Sequence, residues 1–253
     1  MSGHSKWSTI KRQKGAADIK RGQTFTKIAG AIAIAVKQGG SGDPNSNPRL
    51  RMVIDGARAV NMPKENIERA IERGLGAGKE ALEEVIYEGF GPGQVAFIVE
   101  GVTDNRLRTN QEIKSIFEKN GGHLAGQGAV AYMFEKKGEI KVKSAKGKVQ
   151  SEEEELGLID LGAEDIEAFE EEGLQKYLVY TGSSELNTMG NKITQVGFEI
   201  ESQDLVMKPT TTQTITDPEL ARRVLEFADK LGEQDDVHKV FANFDIPDEL
   251  ITK

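Results

Sequence analysis

The chain of 253 residues has no cysteine. Disulfides, thiol nucleophiles and cysteine-ligated zinc are thereby excluded, and a reducing, cytoplasmic setting is expected. Histidine is nearly as scarce. His4, His123 and His238 stand far apart, and none belongs to the HExxH spacing that sets two imidazoles on one helix face. Aromatic residues make up only 6% with a single tryptophan, and no aromatic pair of the RNA-recognition-sheet type is evident. Long apolar runs are missing as well. The longest near the start, 28–36 (IAGAIAIAV), is too short to span a bilayer as a helix. A long polar stretch precedes it and Lys37 follows at once, unlike a usual leader. No membrane partner, cofactor, metal ion or small-molecule substrate is therefore expected. Nor is catalysis, because no acid, base and nucleophile converge in an identifiable set.

Positive charge is the last scarcity, and it is unevenly spread. The whole chain carries a formal charge of -8. Residues 1–80 hold 15 Lys and Arg against 7 Asp and Glu, a net of +8; residues 81–253 hold 18 against 34, a net of -16. Within the first 27 residues seven cations meet one acid, Asp18. Only this end is suited to approach a phosphate backbone, and the acidic remainder is suited to protein partners or to spacing.

The basic end reads as helical. Thr24 is placed to cap a helix through Phe25, Ile28, Ile32 and Val36, which KQGGSG (37–42) ends. Asn47-Pro48 has the form of a cap followed by a first-turn proline, and Leu50, Val53, Ile54, Ala57 and Val60 continue as an apolar stripe. Pro63 opens a third helix carrying Ile67, Ala70, Ile71 and Leu75, which GLGAG (74–78) breaks. Three amphipathic helices bury their stripes against one another, so a three-helix bundle is expected.

From about Glu80 the pattern turns β-rich. Residues 138–203 give strand, helix, strand, strand, helix, strand, the order of a ferredoxin-like unit. A second copy surrounds it, with strands at 94–100 and 129–134, helices at 106–119 and 218–231, and strands near 205–215 and at 237–244. The expected fold is therefore α+β: an N-terminal three-helix bundle over 1–79, a discontinuous ferredoxin-like domain over 80–137 and 204–253, and an acidic ferredoxin-like domain over 138–203 inserted in it. The inserted segment holds 6 Lys and Arg against 15 Asp and Glu.

Several motifs admit two readings. Gly74 to Lys79 hints at a phosphate loop, but Glu80 follows the lysine and no strand precedes it, so an interdomain link is the better reading. GFGPG (89–93) between two strand-like runs reads as a hairpin turn. Glu152 to Glu155 suit the start of a helix through its dipole. In TDNRLRT (103–109), Thr103, Asp104 and Asn105 suit a helix cap; Arg106 and Arg108 either pair with local acids or form an anion-contacting edge. Trp7 either stacks on an unpaired base or anchors the basic segment.

GHSKW (3–7), KRGQTFTK (20–27), NPRLR (47–51), NMPKENIERAI (61–71), YEGFGPG (87–93), TDNRLRT (103–109) and GAVAYMFEKKG (128–138) resemble the YebC family, collinearly and through almost the whole chain. That family includes PmpR-type regulators and a mitochondrial activator of cytochrome oxidase translation. The resemblance implies a helical N-terminal domain followed by two α+β domains. It also implies either DNA-binding transcriptional regulation or association with the translating ribosome. Two departures stand out: KIAGAIAIAV (27–36) replaces a helix that usually carries an Arg and a Glu, and KRQK (11–14) has one basic residue fewer than its counterpart. Both point to reduced surface charge. The expected partner is nucleic acid, either DNA or ribosomal RNA, with a ribosome as the alternative setting. The expected contact set is Lys6, Trp7, Lys11, Arg12, Lys14, Lys20, Arg21, Lys27, Arg49, Arg51, Arg106 and Arg108. No helix with base-reading side chains at major-groove spacing is evident, so binding should follow charge and shape.

Overall fold

Helix α1 (Ile19–Gly39) begins a full turn before the position expected from Thr24, which lies inside it. Lys20, Arg21 and Gln23 are good helix formers and carry the backbone across Gly22, whose cost is only about 1 kcal/mol. The computed structural model describes residues 19–77, 82–144, 152–171 and 173–251. Among them no helix is long and apolar enough to cross a membrane.

The apolar run inside α1 is buried on all sides, with Ile32 to Val36 at most 3% exposed. One face packs Ile32, Ala35 and Val36 against Leu50, Ile54 and Ala57 of α2 (Pro48–Ala59) and Ile67 and Ala70 of α3 (Lys64–Glu72). The opposite side lies on a sheet. A Cβ added at Gly30 would stand 3.2 Å from the His238 ring and 3.7 Å from Val102 Cβ. A helix covered on both sides has no use for a polar face. The apolar departure noted in the sequence thus belongs to the interior, and lost surface charge is not what it records.

Asn47 caps α2 as expected, its Oδ1 accepting from Leu50 N at 3.1 Å. Its Nδ2 donates to Ala35 O at 2.9 Å and to Ser41 O at 3.1 Å, which ties the cap to the end of α1. After α3 the backbone makes a π turn (Arg73–Ala77) that Gly76 ends at a φ of 97°. Gly74 sits so close to α1 that a Cβ would meet Ala33 O at 2.6 Å.

The chain divides into two compact units, residues 134–210 and the remainder. The larger unit adds to its helices the strands β1 (Glu83–Phe90), β2 (Ala96–Thr103) and β3 (His123–Ala125), with α4 (Arg106–Lys119) between the last two. The inserted unit then runs β4 (Phe134–Lys143), α5 (Glu152–Asp160), β5 (Asp165–Glu171), β6 (Leu174–Gly182), α6 (Leu186–Gln195), β7 (Glu199–Pro209). The larger unit resumes with β8 (Gln213–Thr214), α7 (Pro218–Glu233), β9 (Val237–Ala242), β10 (Phe244–Asp245) and a last turn, α8 (Asp248–Ile251).

The inserted sheet is antiparallel with order β5-β6-β4-β7, the ferredoxin-like arrangement read from the sequence. The larger sheet is antiparallel with order β3-β1-β2-β9. Both share one spatial plan, and the α+β class stands. The chain's path through the larger sheet differs from expectation. The place that β6 holds in the inserted sheet is filled here from ahead, by β1, through the GFGPG hairpin that pairs Phe90 with Ala96. The expected strand at 129–134 is instead a turn and a 3-10 turn (Ala131–Met133), and extended pairing starts at Phe134 as one strand through Lys143. The cause is Glu88, which draws the backbone N–H groups of this stretch away from any ladder. The expected strand near 205–215 splits too: β7 stays paired with β4 as far as Pro209, and only Gln213 and Thr214 pair elsewhere, with β10.

The larger core centres on Phe97, Phe117 and Phe227. Their rings meet edge to face at centroid distances of 4.9 and 5.0 Å. In the inserted unit the helix-free face of the sheet carries Phe169, Leu178, Tyr180 and Val206 together with a charge network. Lys141 Nζ reaches Glu171 at 2.6 Å and Glu201 at 3.3 Å; Lys176 pairs with Glu171 and reaches Glu201 at 2.7 Å. Burial alone would raise the Glu171 carboxyl, but the two ammonium groups outweigh it and hold it below the usual range.

Candidate nucleic-acid interface

Lys6, Trp7, Lys11, Arg12 and Lys14 lie outside the described residues. Lys20 and Arg21 occupy the first turn of α1, so this helix carries the chain directly out of the basic segment. Two turns on, half-buried Lys27 donates from Nζ to Gly232 O at 2.6 Å, in the last turn of α7. A cation at a helix C-terminus satisfies an orphan carbonyl and the helix dipole together. Its charge also bears on His238. Burial, then Lys27 and Lys239, lower that imidazole to about 4. His238 is therefore neutral at neutral pH where it underlies α1.

Arg49 and Arg51 stand in the first turn of α2. Arg49 pairs with Glu84 on β1 and donates to Gln38 at the end of α1. Gln38 in turn donates to Glu84 at 2.6 Å. Arg51 donates to Pro44 O at 3.0 Å and Asn45 O at 3.1 Å, clamping the loop before its own helix.

At the start of α4 the capping reading holds. Asn105 Oδ1 accepts from Arg108 N at 3.1 Å, and Thr103 Oγ1 accepts from Asn105 N at 2.9 Å. Arg108 reaches Asp104 at 3.0 Å and Asp236 at 2.9 Å. The second partner is remote in sequence. Asp236 also accepts from the Thr109 hydroxyl at 2.6 Å. Burial would raise its carboxyl, yet these donors hold it below the usual range. Arg106, two residues earlier on the same helix, is also exposed. The Tyr87 phenol is raised by burial, with the Arg106 charge opposing, and its hydroxyl has no hydrogen-bond partner among the described residues.

The described cations mark the starts of α1, α2 and α4, and Lys27, Arg49, Arg51 and Arg108 each hold parts of the protein together. Lys27, the Arg49 partner Glu84 and the Arg108 partner Asp236 all bear on the His238 ring. Of these contacts the Arg49–Glu84 pair is an exposed ion pair, a kind worth at most about 1 kcal/mol. Among the described residues no cluster of three or more His, Asp or Glu side chains is arranged to hold a metal ion.

Two residues absent from the sequence reading stand out beside this set. Glu88 on β1 is 5% exposed, and its carboxylate accepts from the backbone of Gly128 at 2.7 Å, Val130 at 2.8 Å and Ala131 at 2.9 Å. The next residue, Tyr132, is 72% exposed. The only local signal was an acid among apolar strand residues in VIYEGF (85–90), which the β pattern absorbed.

Residues 5–77 match the family model described as the TACO1/YebC protein N-terminal domain, and residues 82–244 match that described as the TACO1/YebC second and third domain. A probable transcriptional regulatory protein of Sulfurihydrogenibium sp. is 46% identical over 254 residues, covering 100% of this chain and 99% of its own. One of Chloroflexus aurantiacus is also 46% identical over 254 residues, with the same coverage. One of Syntrophomonas wolfei is 44% identical over 252 residues, covering 99% of each chain. The crystal structure of a conserved hypothetical protein from Aquifex aeolicus superposes with a TM-score of 0.83 at 43% identity, over 93% of this chain and 95% of that one.

Proposed function

The chain belongs to the TACO1/YebC family, and from that premise we propose that it is a nucleic-acid-binding regulator of gene expression, a DNA-binding transcriptional regulator without catalytic activity. The names of the relatives support this reading. The observation that carries it is the charge partition, a net of +8 over residues 1–80 against -16 over the rest. In this reading Lys6, Lys11, Arg12, Lys14, Lys20 and Arg21 contact phosphates, and the acidic remainder contacts protein partners or sets spacing.

A translating ribosome is the second reading, and one observation favours it. Arg49, Arg51 and Arg108 sit at helix starts, yet protein acceptors hold all three. A helix that reads a major groove needs such guanidinium groups free for base edges. Contact led by charge and shape suits the irregular backbone of ribosomal RNA as well as a duplex.

Two measurements test the proposal. With about 4 to 6 phosphates neutralised, the logarithm of affinity should fall with that of salt at a slope of roughly -4 to -5. Replacing Lys11, Arg12, Lys14, Lys20 and Arg21 by Ala should flatten it; an unchanged slope refutes the assignment. Competition near physiological salt among a promoter duplex, a random duplex and intact ribosomes then separates the readings. A specific duplex preference of about a thousandfold or more supports transcription. Effective competition by ribosomes, with no duplex above random, supports translation.

A further inference from the structure

Tyr132 presents its ring to solvent from a turn that is unusually well fixed. The turn spans residues 127–133 and contains Gly128 at a φ of 85°, where L side chains are strained. Such a turn would ordinarily be among the more mobile parts of a domain. Here three successive ties restrain it. The Glu88 carboxylate takes the N–H groups of Gly128, Val130 and Ala131; the Val130 side chain is fully buried; and Met133 N donates to Val130 O at 2.9 Å. A carboxylate accepting several backbone donors is among the stronger polar anchors a fold can build. Burial would raise the Glu88 carboxyl, but these donors lower it below the usual range, so it stays charged at neutral pH.

The anchor lies next to a largely exposed aromatic residue. Tyr132 is 72% exposed and sits in the middle of the Ala131–Met133 turn. On β1, Ile86 lies two residues from Glu88 and so on the same face of the strand; it is 63% exposed. Ion pairing or phosphate contact would call for a cation at this position. A flat ring with a free face and a restrained backbone suits stacking instead, and a fixed platform loses little entropy when a base settles on it.

We propose that Tyr132 is a stacking platform for an unpaired nucleobase, held in position by Glu88. The inference rests on the nucleic-acid-binding reading and adds to it a preference for single-stranded or looped sites. Phosphate affinity comes from the basic segment, while the ring meets the base, so the two contributions separate experimentally.

The test compares the full chain and its Tyr132→Ala, Tyr132→Phe and Tyr132→Trp variants. Each is titrated with a single-stranded RNA on the order of a dozen nucleotides and with a duplex of equal length. The Ala variant should lose roughly 5- to 150-fold in affinity for the single strand, the range of one base–aromatic stack. Its affinity for the duplex and its salt slope should not change, since no phosphate contact is removed. Tyr132→Phe should keep wild-type affinity. Tyr132→Trp in a Trp7→Phe background should have its fluorescence quenched by the single strand and not by the duplex. Thermal unfolding of the Ala variant checks that the fold survives. Single-strand binding by Tyr132→Ala at wild-type strength overturns the stacking role and leaves the nucleic-acid reading intact. Failure of the wild type to bind any nucleic acid overturns both. Weakened binding of the Ala variant to intact ribosomes, with no change on extracted ribosomal RNA, means that the ring meets protein and the proposal is wrong.

Discussion

The two sheets share a spatial strand order but finish their second faces with opposite chemistry. On the larger sheet, α1 lies over β2 and β9 and sets Gly30 against Val102 and the neutral His238 ring. On the inserted sheet, Lys141, Lys176, Glu171 and Glu201 interlock over the strands beside Phe169 and Tyr180. An apolar cover gains from burial in proportion to area and tolerates modest changes of side chain. An ionic cover has no such latitude, because removing one partner leaves the opposite charge buried and unpaired. The same strand plan therefore specifies neither how a sheet is sealed nor how it fails.

Breaking the ionic cover should have the largest effect. Glu171→Ala leaves two ammonium groups, on residues each over nine-tenths buried, to share the single carboxylate of Glu201, and it should destabilise the inserted unit by about 3 kcal/mol. Denaturant unfolding followed by a probe within 134–210 measures this. A loss below about 1 kcal/mol would mean that the network contributes no more than a surface pair.

Acid sharpens the comparison. His238 has a folded value of about 4, below its unfolded value of about 6.5. The unfolded chain binds the extra proton first, so this contribution is complete above about pH 6.5 and is lost as pH falls towards 4. Its full size is on the order of 3 kcal/mol. Glu171 is also held below its unfolded value, so its contribution is present above the carboxylate range and fades only as pH falls through it. The larger unit should loosen first on acidification and the inserted unit second. Amide exchange at pH 7, 5 and 4 resolves the order, and simultaneous loosening of both units would contradict it.

The smallest effect is expected at a lone pair. Arg49→Ala removes a guanidinium that is half exposed from Glu84 and should cost under about 1 kcal/mol. If Arg49 also reaches a phosphate in the complex, the same variant lowers the salt slope by about 1, which titration at several ionic strengths would detect.

What the sequence made legible was local. Asn47-Pro48 is a cap because a side chain and its target amide lie three residues apart, and GFGPG turns because its glycines permit it. The inserted strand–helix–strand order has each element beside its sequence neighbours. What it hid was remote. Lys27 meets Gly232, Arg108 meets Asp236, and Glu88 meets Gly128 to Ala131, partners that no window of residues contains. AVAYMF (129–134) misleads for the same reason: its composition suits a strand, and a distant carboxylate decides otherwise. Of the contact set, the clustering of cations in the basic segment was visible, whereas the internal engagement of Arg49, Arg51 and Arg108 required the fold.

The early entry of β1 also sets a timetable for synthesis. Residues 134–210 contain every strand of their own sheet, so the inserted unit holds all its pairing partners once that stretch has left the ribosome. The larger sheet at that moment has β1, β2 and β3 but lacks β9, whose Ala242 must return to Phe97. Loop-closure entropy grows only slowly with the length of the intervening chain, so the delay is one of order more than of energy. Until β9 and α7 arrive, one edge of β2 and the rings of Phe97 and Phe117 lack their covering partners. The last fifth of the chain thus determines when the first half becomes safe from aggregation.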